Sequence, residues 1–253
     1  MSGLESVKQY GDYRDSHQGK GADYHNSFVR NRYRALLWSH ERRFLRRFVR
    51  DHFDGQPVHH LDVACGTGRV LTALEDTVTT CTGIDISATM LAEARKHTKR
   101  AKLVHADLLE EPTLAQPRYN LVTAFRFFPN AEPYLRGAAL RRIRTALTDN
   151  GYLIFNNHKN STSLTFRLLR LFGKPFGRSG MTRAEIASML KETGFTIEST
   201  YHVGLTPATD SRTICPLFVM RTAEAITVRC PPLRDLCTNV IYVCRKTGDI
   251  QSC

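Results

Sequence analysis

His60-Leu61-Asp62-Val63-Ala64-Cys65-Gly66-Thr67-Gly68-Arg69-Val70-Leu71 reads as a buried strand that runs into a glycine turn and out into a helix. Gly66 and Gly68 carry no Cβ, so the backbone there can come close to a ligand. A dinucleotide fingerprint would have a third glycine or alanine three residues after the second. Here that position is Leu71, which disfavours a pyrophosphate-containing cofactor. Asp62, four residues before the first glycine, suits a cationic amino-acid group instead.

The pattern on both sides of this stretch sets the architecture. HLDVA, CTGIDI, KLVHAD, YNLVTAF and GYLIFNN are short apolar runs of strand type. GRVLTALED, SATMLAEARKHTKR and EPYLRGAALRRIRTALT, which separate them, carry helical periodicity. Such alternation predicts an α/β fold with a mostly parallel sheet and helices on both faces. After residue 158 come the amphipathic SLTFRLLRLFG and a helix announced by Thr182 and Glu185 in capping-box spacing, with Gly194 as its stop. FTIESTYHVG and NVIYVCRK read as two final strands, joined by a long connection from Leu205 to Asp235. Upstream, the apolar residues from Phe28 to Val49 recur at three- and four-residue steps, with arginines mostly opposite them.

The strand ends converge on a nucleoside. Asp85, in Gly83-Ile84-Asp85-Ile86-Ser87, ends the strand about 20 residues after the glycine turn, where a carboxylate accepts hydrogen bonds from ribose hydroxyls. Ile86 and Met90 offer apolar surface to an adenine, and Asp107, in His105-Ala106-Asp107-Leu108, can take its amino group.

LDVACGTGRVL, GIDIS, HADLL, YNLVTAF and LTDNGYLIFNNH, in this order and spacing, resemble the successive motifs of class I S-adenosylmethionine (SAM)-dependent methyltransferases over residues 57 to 158. The resemblance implies SAM as cofactor and a Rossmann-like seven-stranded sheet with an antiparallel edge strand. It also implies that Asp62, Ala64, Gly66 and Gly68 hold the methionine part, Asp85 the ribose, Ile86, Asp107 and Leu108 the adenine, and Phe125 the region beside the sulfonium. Ala64 stands where the family usually has glycine. The block from Lys20 to Trp38 resembles the lid helices of small-molecule methyltransferases, with Tyr24 and Arg34 covering the site and pairing with the cofactor carboxylate.

Methyl transfer from a sulfonium is an in-line displacement, so holding acceptor and methyl in a dry pocket supplies most of the catalysis. Acceptor-side residues are expected from the ends of the fourth and fifth strands: Arg126, Phe128, Asn130 and Asn157. His158 is the candidate general base and His25 the second choice. Ser161 to Gly180 and Leu205 to Leu233 are expected to wall the acceptor pocket. One domain over 1–253 follows, divided into an arm and lid (1–56), a SAM-binding core (57–158), and pocket insertions with closing strands (159–253).

Composition limits the partners. With 253 residues, 42% hydrophobic, the chain can bury a full core, and no apolar run approaches the roughly 18 residues of a membrane span. The N-terminus lacks a signal-peptide or transit-peptide pattern, and the seven scattered cysteines read as free thiols, so a cytoplasmic protein is expected. No carboxylate cluster suggests a metal. The net charge of +12 draws heavily on eight arginines between Phe28 and Phe53, and fits an anionic small-molecule acceptor or a polyanion. The favoured function is O-methylation of a secondary metabolite, sugar or lipid intermediate. A tRNA or rRNA methyltransferase is the first alternative, against which the fourth strand ends in AFRFFPNAEP and not in an NPPY-like tetrad. A non-catalytic SAM-binding protein is the second.

Overall fold

A computed structural model describes residues 31–171, 180–205 and 217–247. Helix α1 (Arg32–Phe53) precedes an alternating series: β1 (His59–Val63), α2 (Arg69–Leu74), β2 (Thr80–Asp85), α3 (Ala88–His97), β3 (Lys102–His105), β4 (Tyr119–Ala124), α4 (Pro133–Ala146) and β5 (Leu147–Asn157). Then follow α5 (Leu164–Leu171), α6 (Arg183–Glu192), β6 (Phe195–Val203), α7 (Leu217–Arg229) and β7 (Asn239–Lys246).

The seven strands form one sheet in the order β3-β2-β1-β4-β5-β7-β6. Strands β1 to β5 are mutually parallel, and β7 runs antiparallel to both β5 and β6. The antiparallel strand expected at the edge therefore sits one place in, and β6 is the edge itself. Most of β6 is exposed, with Thr196, Glu198, Ser199 and Thr200 along it, a polar edge that discourages pairing with another chain.

Near-continuous apolar runs are explained by burial on both faces. Alternate residues of one strand enter different cores: Leu153 and Phe155 of β5 pack with α4 and α6, while Tyr152 and Ile154 pack with α1, α2 and α3. Strand β7 does the same, with Val240, Tyr242 and Cys244 on one side and Ile241 and Val243 on the other.

Helix α1 starts at Arg32 because Asn31 Oδ1 accepts the Tyr33 and Arg34 N–H groups. Leu45, Phe48, Val49 and Phe53 bury against the sheet, while Arg42, Arg43, Arg47 and Arg50 face solvent. Most of α1 is thus a layer of the core, and its first turns alone lie near the rim where a lid would sit. The capping box is present at α6, where Thr182 Oγ1 accepts from Glu185 N–H and Glu185 Oε2 from Thr182 N–H. Gly194 ends that helix with φ 72°.

Helix α7 lies inside the connection expected to wall the acceptor pocket. Its Met220 packs with Tyr33, Leu36, Leu37 and Val203, so it braces α1 against the end of β6. Its fully buried Glu224 accepts the Gly204 and Leu205 N–H groups at 2.8 and 2.9 Å. No helix among the described residues is long and apolar enough to cross a membrane.

The seat of α2 on β2 depends on Gly83, where an added Cβ would lie 2.5 Å from Leu71 Cδ1 and 2.9 Å from Cys65 Sγ. Gly83→Ala should lower stability by about 1–3 kcal/mol through overpacking. An unfolding free energy from urea denaturation within about 0.5 kcal/mol of wild type would show that this seat is not tight.

Candidate functional site

Strands β1, β2, β3 and β4 end together on one rim, and the chain order reverses between β1 and β4. In an open parallel sheet this is where helices leave to opposite faces and a crevice opens. The crevice here brings together Ala64, Gly66, Asp85, Ile86, Met90, Asp107, Leu108, Phe125 and Arg126, with Val63, Ile84, Ala106, Phe127 and Leu135. It opens to solvent at its mouth, and its lining is mostly apolar with the two carboxylates and one guanidinium as its charged groups.

Asp85 organises its centre. One carboxylate oxygen accepts Gly66 N–H at 2.7 Å and the other accepts Ser87 N–H at 2.8 Å, so the group ties the glycine turn to the start of α3. A carboxylate has lone pairs beyond these two bonds, enough for a pair of hydroxyls. The turn itself is left-handed at Ala64, Gly66 and Gly68, with φ 52°, 54° and 77°. An alanine held at such a φ is strained by about 1 kcal/mol or more, at the position where the resemblance expects glycine. Asp107 Oδ1 accepts Leu109 N–H at 2.9 Å, which fixes the carboxyl at the mouth.

Asp62 lies behind the lining, 2% exposed, at the end of a directed chain. Thr123 donates its hydroxyl hydrogen to Asp62 Oδ1 at 2.6 Å, so Thr123 Oγ1 must accept from His60 Nε2–H at 2.8 Å. His60 Nδ1 is then bare and accepts the Cys81 thiol at 3.3 Å. Burial pushes His60 down to about 3 and keeps it neutral. Burial pushes Asp62 up to about 7, while the Thr123 hydrogen bond and Arg69 hold it down and Asp85 adds repulsion. A cationic ammonium beside Asp62 would favour the ionised form.

The acceptor side is built around Arg126, directly after β4. Its φ is 62°, and side chains pin both of its backbone poles: Asn156 Oδ1 accepts Arg126 N–H at 2.7 Å, and Asn130 Nδ2 donates to the Arg126 carbonyl at 2.6 Å. Because that backbone group can only donate, Asn156 must turn its amide nitrogen the other way, where Nδ2 donates to Glu41 Oε1 at 2.9 Å. Asn239 Nδ2 donates to the same oxygen at 2.7 Å. Glu41 is 1% exposed, a carboxylate of α1 held between β5 and β7. Lys159 Nζ donates to Asn130 Oδ1 at 3.3 Å.

His158 is half-buried, and its Nδ1 is buried without a hydrogen-bond partner among the described residues. Burial, and then the charges of Arg126, Lys159, Arg34 and Arg69, push it well below the ordinary histidine value. It is therefore neutral at physiological pH, and a weaker proton acceptor than a free imidazole. Arg69 stacks over Trp38 of α1 with its guanidinium carbon 5.1 Å from the ring centroid.

Two expected acceptor contacts sit elsewhere. Phe128 is fully buried against Phe127 and Phe155, so it is a core side chain and an acceptor could touch it only by opening the core. Asn157 is also fully buried and donates to the Met181 carbonyl at 2.7 Å, which secures the entry to α6. Asn130 reaches the acceptor side through Arg126 and Lys159. Gly68 seats α2 against Ala94 and Thr98, outside the crevice lining. Tyr24 and His25 lie outside the described residues. Reasoning from sequence missed Glu41, Asn239, His60 and Thr123. A signal existed for Glu41, because it falls on the apolar stripe between Leu37 and Leu45, where an exposed acid would not. Among the described residues no group of three or more His, Cys, Asp or Glu side chains is placed to hold a metal ion.

A family model described as a methyltransferase domain matches residues 37–200. A dTDP-3-amino-3,6-dideoxy-alpha-D-glucopyranose N,N-dimethyltransferase of Streptomyces fradiae is 40% identical over 92 residues, covering 36% of this chain and 30% of that protein. Less than a third of that relative's length is therefore spanned. The fold is similar to that of magnesium protoporphyrin IX methyltransferase from Synechocystis PCC 6803 with bound SAH (TM-score 0.63, 16% identity, 92% of this chain and 97% of that one). It is also similar to a SAM-dependent methyltransferase from Archaeoglobus fulgidus (TM-score 0.60, 17% identity, 89% and 99%). At such identities the two structures speak for the fold alone.

Glu41→Ala would strand two buried amide N–H groups and should cost about 2–4 kcal/mol, whereas Glu41→Gln, whose carbonyl oxygen can accept both, should cost clearly less. Equal losses for the two variants in urea denaturation would contradict the network. Asp62 makes a prediction of opposite sign to the usual acid. Raised from 3.8 to about 7, it binds more protons folded than unfolded, so stability falls as pH climbs from about 4 to 7 and stays reduced above. The full effect is on the order of 4 kcal/mol, and Asp62→Asn should flatten that slope. Parallel stability curves for the two proteins across this window would refute the raised value.

Proposed function

Because the chain belongs to the methyltransferase family whose model covers residues 37–200, we propose that it transfers a methyl group from SAM to a small-molecule acceptor. The observation that carries this reading is the single crevice that gathers Asp85, Ile86, Met90, Asp107 and Leu108 on one side and Phe125 with Arg126 on the other. Asp85 takes the ribose hydroxyls, Ile86, Met90 and Leu108 flank the adenine, and Asp107 accepts its amino hydrogen. Ala64 and Gly66 leave room for the methionine part, Asp62 attracts its ammonium from behind, and Arg34 faces its carboxylate. Phe125 then lies beside the sulfonium, where acceptor and methyl must be aligned with water excluded.

The acceptor is read as a sugar, lipid or secondary-metabolite intermediate methylated on oxygen. The Streptomyces relative, an N,N-dimethyltransferase of a nucleotide-linked amino sugar, favours a sugar and makes nitrogen the alternative atom. His158, which directly follows β5, is read as the acceptor of a hydrogen bond from the attacking group, with His25 as the second candidate. Five described cysteines are free, four of them buried, which suits a reducing, cytoplasmic compartment.

An RNA substrate fits the charge but not its placement. Arg42, Arg43, Arg46, Arg47 and Arg50 line a groove with Val58 and Thr79, at the beginnings of β1 and β2. The crevice lies at their ends, so a polyanion on that groove would bind across the sheet from Phe125.

Asp85→Ala removes an acceptor of two backbone N–H groups as well as the ribose contact, and should weaken SAH binding about 100-fold or more, from two charge-assisted bonds of about 1.5–3 kcal/mol each. Isothermal titration measures this. Labelled SAM supplied to a fractionated cell extract, with the Asp85 variant as blank, should then mark the small-metabolite or lipid fraction. Unchanged SAH affinity would sink the cofactor assignment, and label confined to nucleic acid would sink the acceptor class.

A further inference from the structure

We propose that the arginine-lined groove between α1 and the starts of β1 and β2 is a docking surface for the phosphate backbone of a single-stranded nucleic acid. This goes beyond the methyl-transfer reading and does not depend on it. Arg42, Arg43, Arg46, Arg47 and Arg50 of α1 form one wall, and Gln56, Thr77 and Thr79 stand opposite. Arg42, Arg46 and Arg50 follow at four-residue steps, about 6 Å apart along the helix axis. Arg43 and Arg47 make a second row beside them at the same step. That interval is close to the separation of successive phosphates in one nucleic-acid strand. All five cations are arginines, whose planar fork takes two phosphate oxygens at once.

The surroundings do not neutralise these arginines. Arg42 and Arg43 are exposed and make no hydrogen bond or ion pair among the described residues. Arg46 donates to a neutral group, the Ala73 carbonyl, at 3.1 Å. Arg47 and Arg50 share one carboxylate, Asp51, at 3.1 and 2.8 Å. The other acids beside the groove are Asp54 and Asp76, so five cations stand against three carboxylates. An adjoining groove shares Val78 and Thr79 and adds Arg100, Lys102 and Arg118 with one acid, Glu75. The carboxylate of Glu75 is buried and accepts the Lys99 and Arg100 N–H groups, so the excess of positive charge continues across the starts of the strands.

The partner's chemistry follows from what this face lacks. A protein interface needs an apolar centre and a membrane surface needs apolar side chains to take up. Among the described residues, none of the exposed large hydrophobic side chains lies on α1 or along either groove. A concave, hydrophilic, cationic channel is the form that tracks a nucleic-acid backbone. Because the crevice opens at the opposite ends of the strands, a nucleic acid held here tethers the enzyme and is not its methyl acceptor.

Fluorescence anisotropy of a labelled oligouridylate, with the full chain saturated in SAH, tests the groove. The oligonucleotide should bind, and its log affinity should fall against log salt with a slope of about −2, the value for roughly three phosphates on a single strand. Arg42→Gln/Arg43→Gln should weaken binding at least about tenfold and flatten that slope. Asp51→Asn, which releases Arg47 and Arg50, should strengthen binding severalfold, a gain that misfolding cannot mimic. Arg141→Gln, on α4 at the other face of the sheet, should change nothing. Failure to bind, binding unmoved by the Arg42 and Arg43 substitutions, or tighter binding to polyglutamate or to phosphatidylserine vesicles overturns the docking surface. Oligonucleotide binding that persists in a protein unable to bind SAH upholds the groove and removes the methyltransferase reading alone.

Discussion

The constraint on which the rest depends is the reversal of strand order between β1 and β4. Parallel neighbours force each connection to cross a face of the sheet, and at the reversal two successive connections leave to opposite faces. A crevice at the strand ends is then unavoidable, and every residue that follows a strand end borders it. Asp85 turns this geometry into a defined pocket, since its carboxylate holds the glycine turn of one unit to the helix start of the next. In the proposed reading the same oxygens that stabilise the turn also take a nucleoside's hydroxyls.

Buried polar groups, more than apolar ones, shape the acceptor half. Glu41, Asn156 and Asn239 are nearly or fully inaccessible, and they satisfy one another through bonds whose donor directions are all determined by the Arg126 N–H. Such a network contributes little net stability, but leaving one member unpaired is costly, so it specifies one arrangement. The chain from Cys81 through His60 and Thr123 to Asp62 follows the same logic on the methionine half.

That Ala64, Gly66, Asp85, Ile86, Met90, Asp107 and Leu108 would meet in one crevice was legible because each stretch is local. HLDVACGTG, GIDIS and HADLL each carry strand, turn and crevice-lining residue within a few positions, and the alternation of patterns told which ends would meet. The acceptor half was not, because its residues act through partners far along the chain. Phe128 and Asn157 stand at the correct strand ends but point into the cores, a distinction that period-two alternation decides only when the face is known. Helix α7 went unseen because it lies amid a stretch with prolines and β-branched residues, whose helical state is set by packing of Met220 on α1 and by Glu224 at the end of β6.

Glu41 and Asn239 are separated by 198 residues, and Glu41 and Asn156 by 115. The hydrogen bonds that shape the acceptor rim therefore join the first described helix to the last strand. During translation these bonds cannot close until β7 has emerged, so the rim is completed only as the whole domain folds. The acceptor rim is thereby closed by the last described strand, whichever parts of the sheet have paired before it.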